Sequence, residues 1–304
     1  MENIHIGIFI KKLRKQQRMT QEELAFDIID RTALSKLERG LVIPHRKSLI
    51  ALLEKLGYDT SIINNFFLDD KEVEVQKIVN RIQLCTANRN TEEVDELLAL
   101  LENNTQYMSQ KLNRQFVISS KASNLINKGG EIKETVKLLH EALKITIPVF
   151  VEKDIDEYYV TNEELHIINM LAITHGKNGE VEKAIDILYS LKNNLDKNCV
   201  DTNRLGKQYP LIIYNLTKYL GIVGRRDEAI ELCDVGYAIC LKTAQFFFLP
   251  HILHNKAVNL FEIGNREDCE TLLRQVYHLS CAYKDYECAE ITRSYALDKL
   301  GVYL

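Results

Sequence analysis

The chain has no tryptophan and only four prolines in 304 residues. Proline interrupts helices, and here it occurs only at Pro44, Pro148, Pro210 and Pro250. With dense Leu, Ile, Glu and Lys, those absences predict an all-α protein. There is no Cys-x-x-Cys pair. The seven cysteines, Cys85, Cys199, Cys233, Cys240, Cys269, Cys281 and Cys288, are scattered and odd in number, which predicts buried free thiols in a reducing cytoplasm. No run approaches about 18 consecutive apolar residues, so no membrane span is expected. The start from Met1 to Gly7 lacks a long apolar run and a small-residue cleavage site, which argues against a secretory signal. P-loop, Gly-x-Ser-x-Gly and His-Glu-x-x-His motifs are all missing, so enzymatic readings find no support. His251 and His254 lie three apart, half of a metal site with no Cys or carboxylate partner evident. They are read as groove or packing residues, and neither metal nor cofactor is expected.

Charge is low overall, with a net value of −4, but uneven. Residues 1–58 carry 11 Lys and Arg against 7 Asp and Glu, and the remainder carries −8. A chain of this length holds two or more domains. A basic head on an acidic body suits DNA binding at one end and a different task at the other.

What is present is most informative near the start. Thr20 is placed to cap a helix, and Glu23, three residues on, completes a capping box. Leu24 and Ala25 then face inward, and the small Ala25 lets a second helix cross closely. That second helix is expected from about Arg31 to Arg39, with Leu34 and Leu37 buried. Arg31, Thr32, Ser35, Lys36 and Arg39 are left on its outer face, as major-groove reading requires. A further helix is expected from Lys47 to Leu56, stopped by Gly57. A short one over Ser61 to Phe67 is too apolar for water and reads as a packing surface against the rest of the chain or a dimer mate.

The remainder repeats. Gly130, Gly179, Gly224 and Gly264 each precede a small or modest residue by five positions, namely Thr135, Ala184, Ala229 and Cys269. A weaker copy starts at Asn90 and leads to Asp95 within the run Asn90-Thr91-Glu92-Glu93-Val94-Asp95. Amphipathic stretches such as Glu180 to Leu195 and Asp227 to Leu241 flank the turns. Five helix hairpins plus a capping helix from about Tyr286 to Leu300 account for the chain. The expected division is 1–68 for the head with its linker helix and 69–304 for the repeats.

The first segment resembles the DNA-binding domain of phage-repressor-like regulators. The resemblance implies that Gln21 holds a phosphate and that Arg31, Thr32 and Lys36 reach base edges. It departs from the usual pattern in the turn, where Phe26-Asp27-Ile28-Ile29-Asp30 is one residue shorter and has no Gly. The second segment resembles tetratricopeptide repeats, although its period is longer and the aromatic consensus is mostly missing. Repeats of that kind curl into a superhelix whose concave wall is made of first helices. Asn169, Asn215 and Asn255 recur at nearly one level before their turns, and Asn259 follows one helical turn later. Asn amides match the N–H and C=O of a peptide backbone, so these four are candidate peptide-binding residues. Arg89 is a candidate for a peptide carboxylate.

Head and repeats together resemble the Rap/NprR/PlcR/PrgX regulators of Gram-positive bacteria, and PlcR-type members most. The resemblance implies a cytoplasmic homodimer that binds a short imported signalling peptide in its groove and alters transcription at operator DNA; activation is the expected output, and the sequence leaves repression open. It matches Asn169 and Asn215 to peptide-backbone contacts. It also marks His45 as a departure from the hydroxyl residue expected after Pro44, which weakens the next helix cap. The alternative is a repeat scaffold that docks a protein partner, with the DNA-binding head secondary.

Overall fold

A computed structural model describes residues 6–42, 45–57, 70–198 and 202–304. Pro44, Cys199, the expected helix over Ser61 to Phe67 and the expected boundary at 68/69 lie outside the described residues. Among those described, every regular element is helical, and no helix is long and apolar enough to cross a membrane. The chain forms two compact units, Met1–Asn80 and Arg81–Leu304.

The first unit contains α1 (Ile6–Gln16), α2 (Gln21–Ala25), α3 (Arg31–Glu38) and α4 (Arg46–Lys55). Thr20 and Glu23 form the expected capping box at the start of α2. The glycine-free turn after α2 is solved by Asp27, whose φ of +65° supplies the left-handed step. Aspartate tolerates that region better than most side chains. Ile28 and Ile29 both donate to the Ala25 carbonyl, at 2.9 and 3.0 Å. Asp30 then caps α3 by accepting from the Ala33 N–H at 2.8 Å. His45 stands at the cap of α4 with no side-chain hydrogen bond. Ile6, Ile10, Leu24, Leu34, Leu37, Leu49, Leu52 and Leu53 form the core. Each such side chain stabilises by about 1.5–3 kcal/mol when fully buried. Gly7 permits the closest crossing, because a Cβ there would sit 1.7 Å from the Leu37 carbonyl oxygen.

A long helix, α5 (Asp70–Ala87), crosses the division between the units. The second unit continues with α6 (Thr91–Glu102), the short α7 (Thr105–Met108), α8 (Lys111–Asn127) and α9 (Ile132–Lys144). After a 3-10 segment over Glu152–Glu157 come α10 (Asn162–Lys177), α11 (Val181–Asn198), α12 (Thr202–Ile222) and α13 (Arg226–Thr243). The chain closes with α14 (Leu249–Glu262), α15 (Arg266–Ala282) and α16 (Tyr286–Leu300). A continuous apolar core runs from Ala122 on α8 to Cys288 on α16.

The repeat turns share one chemistry. Each leading helix ends in a residue of positive φ, and the next N–H reaches back to the last turn, as in Glu180 to His175 O at 3.0 Å and Arg225 to Leu220 O at 2.9 Å. This satisfies carbonyls that would otherwise be orphaned. Gly179, Gly224 and Gly264 hold that position as expected. In the earlier copy it is Gly129, at φ +68°, and not Gly130 that does so. Gly130 is the following residue, which donates to Leu125 O. Arg89 and Lys284 take the same conformation without being glycine. The residue five positions after each left-handed Gly at 179, 224 and 264 is fully buried: Ala184, Ala229 and Cys269.

Two features go beyond the repeat pattern. Pro210 lies inside α12. The clash of its ring falls on the carbonyl four residues back, which belongs to Gly206. Glu152, on the 3-10 segment, ties three helices together. Its carboxylate meets His140 of α9 at 2.8 Å, Lys183 of α11 at 2.8 Å and His175 of α10 at 3.5 Å. Burial acts to raise its pKa, but the His140 and Lys183 hydrogen bonds and the nearby positive charge overcome this and hold it at about 2. Among the described residues six cysteines are free thiols, of which only Cys281 is partly exposed.

Candidate functional site

The head offers one polar helix face on a rigid support. Arg31, Thr32, Lys36 and Arg39 are exposed and Ser35 is half-buried, while Leu34, Leu37 and Glu38 are buried. Glu38 is anchored from α1, since Arg14 donates to its two carboxylate oxygens at 2.6 and 2.9 Å. A third guanidinium nitrogen of Arg14 donates to Met19 O at 2.7 Å. Burial raises the Glu38 pKa, but the Arg14 and Gln21 hydrogen bonds outweigh it and keep the carboxyl ionised. The Gln21 amide nitrogen is engaged here, donating to Glu38 at 2.8 Å. The side chain expected at a phosphate therefore also braces α2 against α3. Thr32 and Lys36 line a depression of about 350 Å³ whose other walls include Val42, His45 and Ser48. Sequence reasoning missed Arg14 and Glu38. Their signal was Glu38 lying four residues after Leu34, on the same face.

In the second unit a cavity of about 510 Å³ is walled by leading helices. Gln83 and Thr86 come from α5, Phe116, Ser119 and Ser123 from α8, Glu163, His166 and Met170 from α10, and Lys207, Gln208 and Leu211 from α12. The walls thus alternate apolar, hydroxyl, amide and charged groups. Ser119 donates to Glu163 at 2.9 Å. His166 is exposed on the cavity wall, one helical turn from Glu163 on α10. These residues were not singled out from sequence. Their three-and-four spacing on each leading helix, as in Glu163, His166 and Met170, is the signal that marks one helix face.

The four asparagines lie deeper than a ligand-facing ladder. All are buried. Asn215 donates to the Asn169 side-chain oxygen at 3.0 Å. Asn255 donates to Tyr214 O at 2.8 Å and to Thr217 at 3.0 Å. Asn259 donates to Asn255 O at 2.8 Å. Asn215 thus ties α12 to α10, and Asn255 ties α14 to α12. Arg89 stands on the turn after α5, exposed, 3.4 Å from Glu287 at the start of α16. The first and last repeats therefore approach each other within this unit. His254 is deep in the stack beside Thr292, at 3.0 Å, and His251 packs edge-on against Tyr214.

Comparison with known proteins agrees with this division. The helix-turn-helix family profile matches residues 10–63. By sequence, no curated protein matches the chain. Solved structures match nearly end to end at low identity. One is PlcR of Bacillus thuringiensis in complex with the peptide PapR7 and DNA, at TM-score 0.70 and 16% identity, over 94% of this chain and 98% of that one. A second is the SHP pheromone receptor Rgg2 of Streptococcus dysgalactiae, at TM-score 0.61 and 13% identity, over 96% and 98%. A third is ComR of S. thermophilus in complex with DNA and its signalling peptide ComS, at TM-score 0.54 and 15% identity, over 98% and 100%. The fold is therefore a helix-turn-helix head followed by a helical-repeat superhelix, shared with these proteins over almost their full length.

Proposed function

We propose that this chain is a DNA-binding transcription regulator controlled by a short peptide held in the concave cavity of its repeats, acting as a cytoplasmic homodimer rather than as an enzyme. The observation that carries the reading is α3. Its cations and hydroxyls face outward, while Leu34, Leu37 and the Arg14–Glu38 pair fix its inner side. A helix held so firmly keeps its base-reading side chains in register. In this reading Arg31, Thr32 and Lys36 read bases, and Ser35, Arg39 and Gln21 hold the backbone.

The peptide seat is supported by the cavity between α5, α8, α10 and α12. Glu163 and Lys207 supply opposite charges, and Ser119, Ser123, Gln83 and Gln208 supply backbone partners. An asparagine pair joined by one hydrogen bond keeps further capacity. The Asn169 amide nitrogen and the Asn215 amide oxygen are assigned to the peptide backbone, with Asn255 tying α14 to α12. At about 3.3 Å per residue, a groove of two or three repeats takes a peptide of roughly five to eight residues. Relatives in solved complexes hold both DNA and peptide, and the shared fold makes the same pairing the natural reading here.

The test begins with selection of duplexes from a random pool by the full chain. Lys36→Ala is expected to weaken binding to the selected site by about 1–3 kcal/mol at one base position, with little change on random duplex. Equal weakening on both would overturn base reading by Lys36.

A further inference from the structure

We propose that His251, Asp285 and Cys288 form a binding site for a zinc ion at the end of the repeat stack. Sequence alone left the His251 region without a cysteine or carboxylate partner. The fold supplies both, because the start of α16 lies against α14. One ligand atom from each of the three side chains lies within 4.8 Å of the other two.

The local geometry explains the convergence. Asp285 is the N-cap of α16, and its Oδ1 accepts from the Cys288 N–H at 3.1 Å. A cap and its third residue share one side of a helix start, so the thiol and the second carboxylate oxygen are neighbours. That second oxygen, Oδ2, lies 3.4 Å from His251 Nε2. Ligand atoms about 2.0–2.3 Å from a tetrahedral zinc lie roughly 3.3–3.8 Å apart, so the observed spacing accepts the ion with small adjustments. His251 is held for the task by Tyr214 and Phe248, with ring centroids at 5.3 and 6.0 Å. Its Nδ1 is enclosed and meets no hydrogen-bond partner, and it is this nitrogen that carries the ring proton when zinc sits on Nε2.

The donor set selects the metal. A thiolate and a carboxylate neutralise a divalent cation. The combination of sulfur, imidazole and one carboxylate favours zinc over magnesium or calcium, which take oxygen ligands. Binding displaces the thiol proton to solvent. Three protein ligands leave a fourth position for water. The ion joins α14 to the capping helix through Asp285 and Cys288, on either side in sequence of Glu287, the residue that meets Arg89 of the first repeat. Zinc would therefore fasten the last helix of the stack at the place where the two ends of the repeat unit approach.

The test uses the full chain, freed of metal by a chelator and titrated with Zn²⁺ or Co²⁺ alone. One ion per chain, a rise in Tm on adding zinc and a thiolate-to-cobalt charge-transfer band are expected. Cys288→Ser should delete that band. His251→Gln, Asp285→Asn and Cys288→Ser should each weaken zinc binding by at least about tenfold, the loss that even an outer-shell partner's removal brings. Asp285→Asn retains a capping oxygen, so its Tm in chelator should match the parent chain and separate loss of metal from loss of fold. No stoichiometric zinc binding, or a cobalt band that survives Cys288→Ser, would overturn the site.

Discussion

Arg14 and Glu38 show how a single pair of residues sets the precision of a surface several ångströms away. The pair is almost wholly enclosed, with side-chain exposures of 9% and 1%. Charges so buried are strongly destabilising when one partner is removed, because the other is left uncompensated, at about 3–5 kcal/mol. Glu38→Ala is therefore expected to lower the stability of the head by that amount in denaturant unfolding followed by a probe in the first unit. Arg14→Met with Glu38→Leu should recover most of it, since an apolar pair leaves no uncompensated charge. If Glu38→Ala proves neutral, the pair does not brace α3. The exposed residues of α3 were legible from sequence because Leu34 and Leu37 fix the helix phase. Glu38 was not, because a charged residue on an apolar face declares itself only once its partner from α1 is known. Gln21 likewise read as a phosphate ligand, and the bond from its amide to Glu38 depends on the crossing of α2 and α3.

At the scale of elements, turn chemistry was the most readable feature, and its errors are instructive. A glycine pair at 129–130 gives no local reason to choose between them. The hydrogen bond from Gly130 to Leu125 O assigns the left-handed step to Gly129. The copy before α16 went unseen because Lys284 holds the position that glycine usually takes. L-residues in that region cost about 1–2 kcal/mol. Gly129→Ala should therefore destabilise the repeat unit by about 1 kcal/mol, although its Cβ would meet nothing within 4 Å. Ala244→Gly, at φ +53°, should stabilise by up to about 1 kcal/mol. Paired thermal unfolding of the two variants reads these opposite signs, and shifts of the same sign would refute the backbone argument. Pro210 departs from the rule that proline interrupts a helix. The cavity walls were legible only in part, since the stacking that brings Glu163, His166 and Lys207 together is a property of three helices and not of any one.

The Glu152 clasp makes an element-scale prediction about pH. A carboxylate whose folded pKa lies below its unfolded value stabilises the fold at pH values above the unfolded pKa. That contribution is lost as pH falls through the folded pKa. With the folded value at about 2, the loss runs from about pH 4.5 downward. At about 1.4 kcal/mol per unit the full effect, reached only near pH 2, is about 3 kcal/mol. Urea unfolding of the parent chain should weaken between pH 5 and pH 3 by an amount that Glu152→Gln does not show. Parallel pH profiles for the two proteins would remove Glu152 from the account of acid sensitivity.

For the whole molecule, the head and the repeats must communicate if the proposed function holds. A head of this size covers one half-site, and two-fold dimers set their heads about one DNA turn apart, or a multiple of it. The apolar run Ile62 to Phe67 offers a sequence-level reason for a partner surface. Light scattering should then give twice the chain mass of 35.1 kDa at concentrations that saturate DNA. Peptide bound between α5, α8, α10 and α12 would favour one curvature of the repeat unit, and so one spacing of the two heads. That is a population shift, and a shift needs differential affinity for the two states. Asn215→Ala should remove the backbone hydrogen bond assigned to its amide oxygen, worth about 0.5–1.5 kcal/mol, and reduce peptide affinity by up to about tenfold while leaving peptide-free DNA contacts intact. Linkage then makes a stricter demand. Operator DNA must raise peptide affinity by the same factor by which peptide raises DNA affinity. Calorimetry in both orders measures the two factors directly. A peptide that binds equally well with and without operator DNA would leave the cavity a peptide site but break the coupling on which regulation depends.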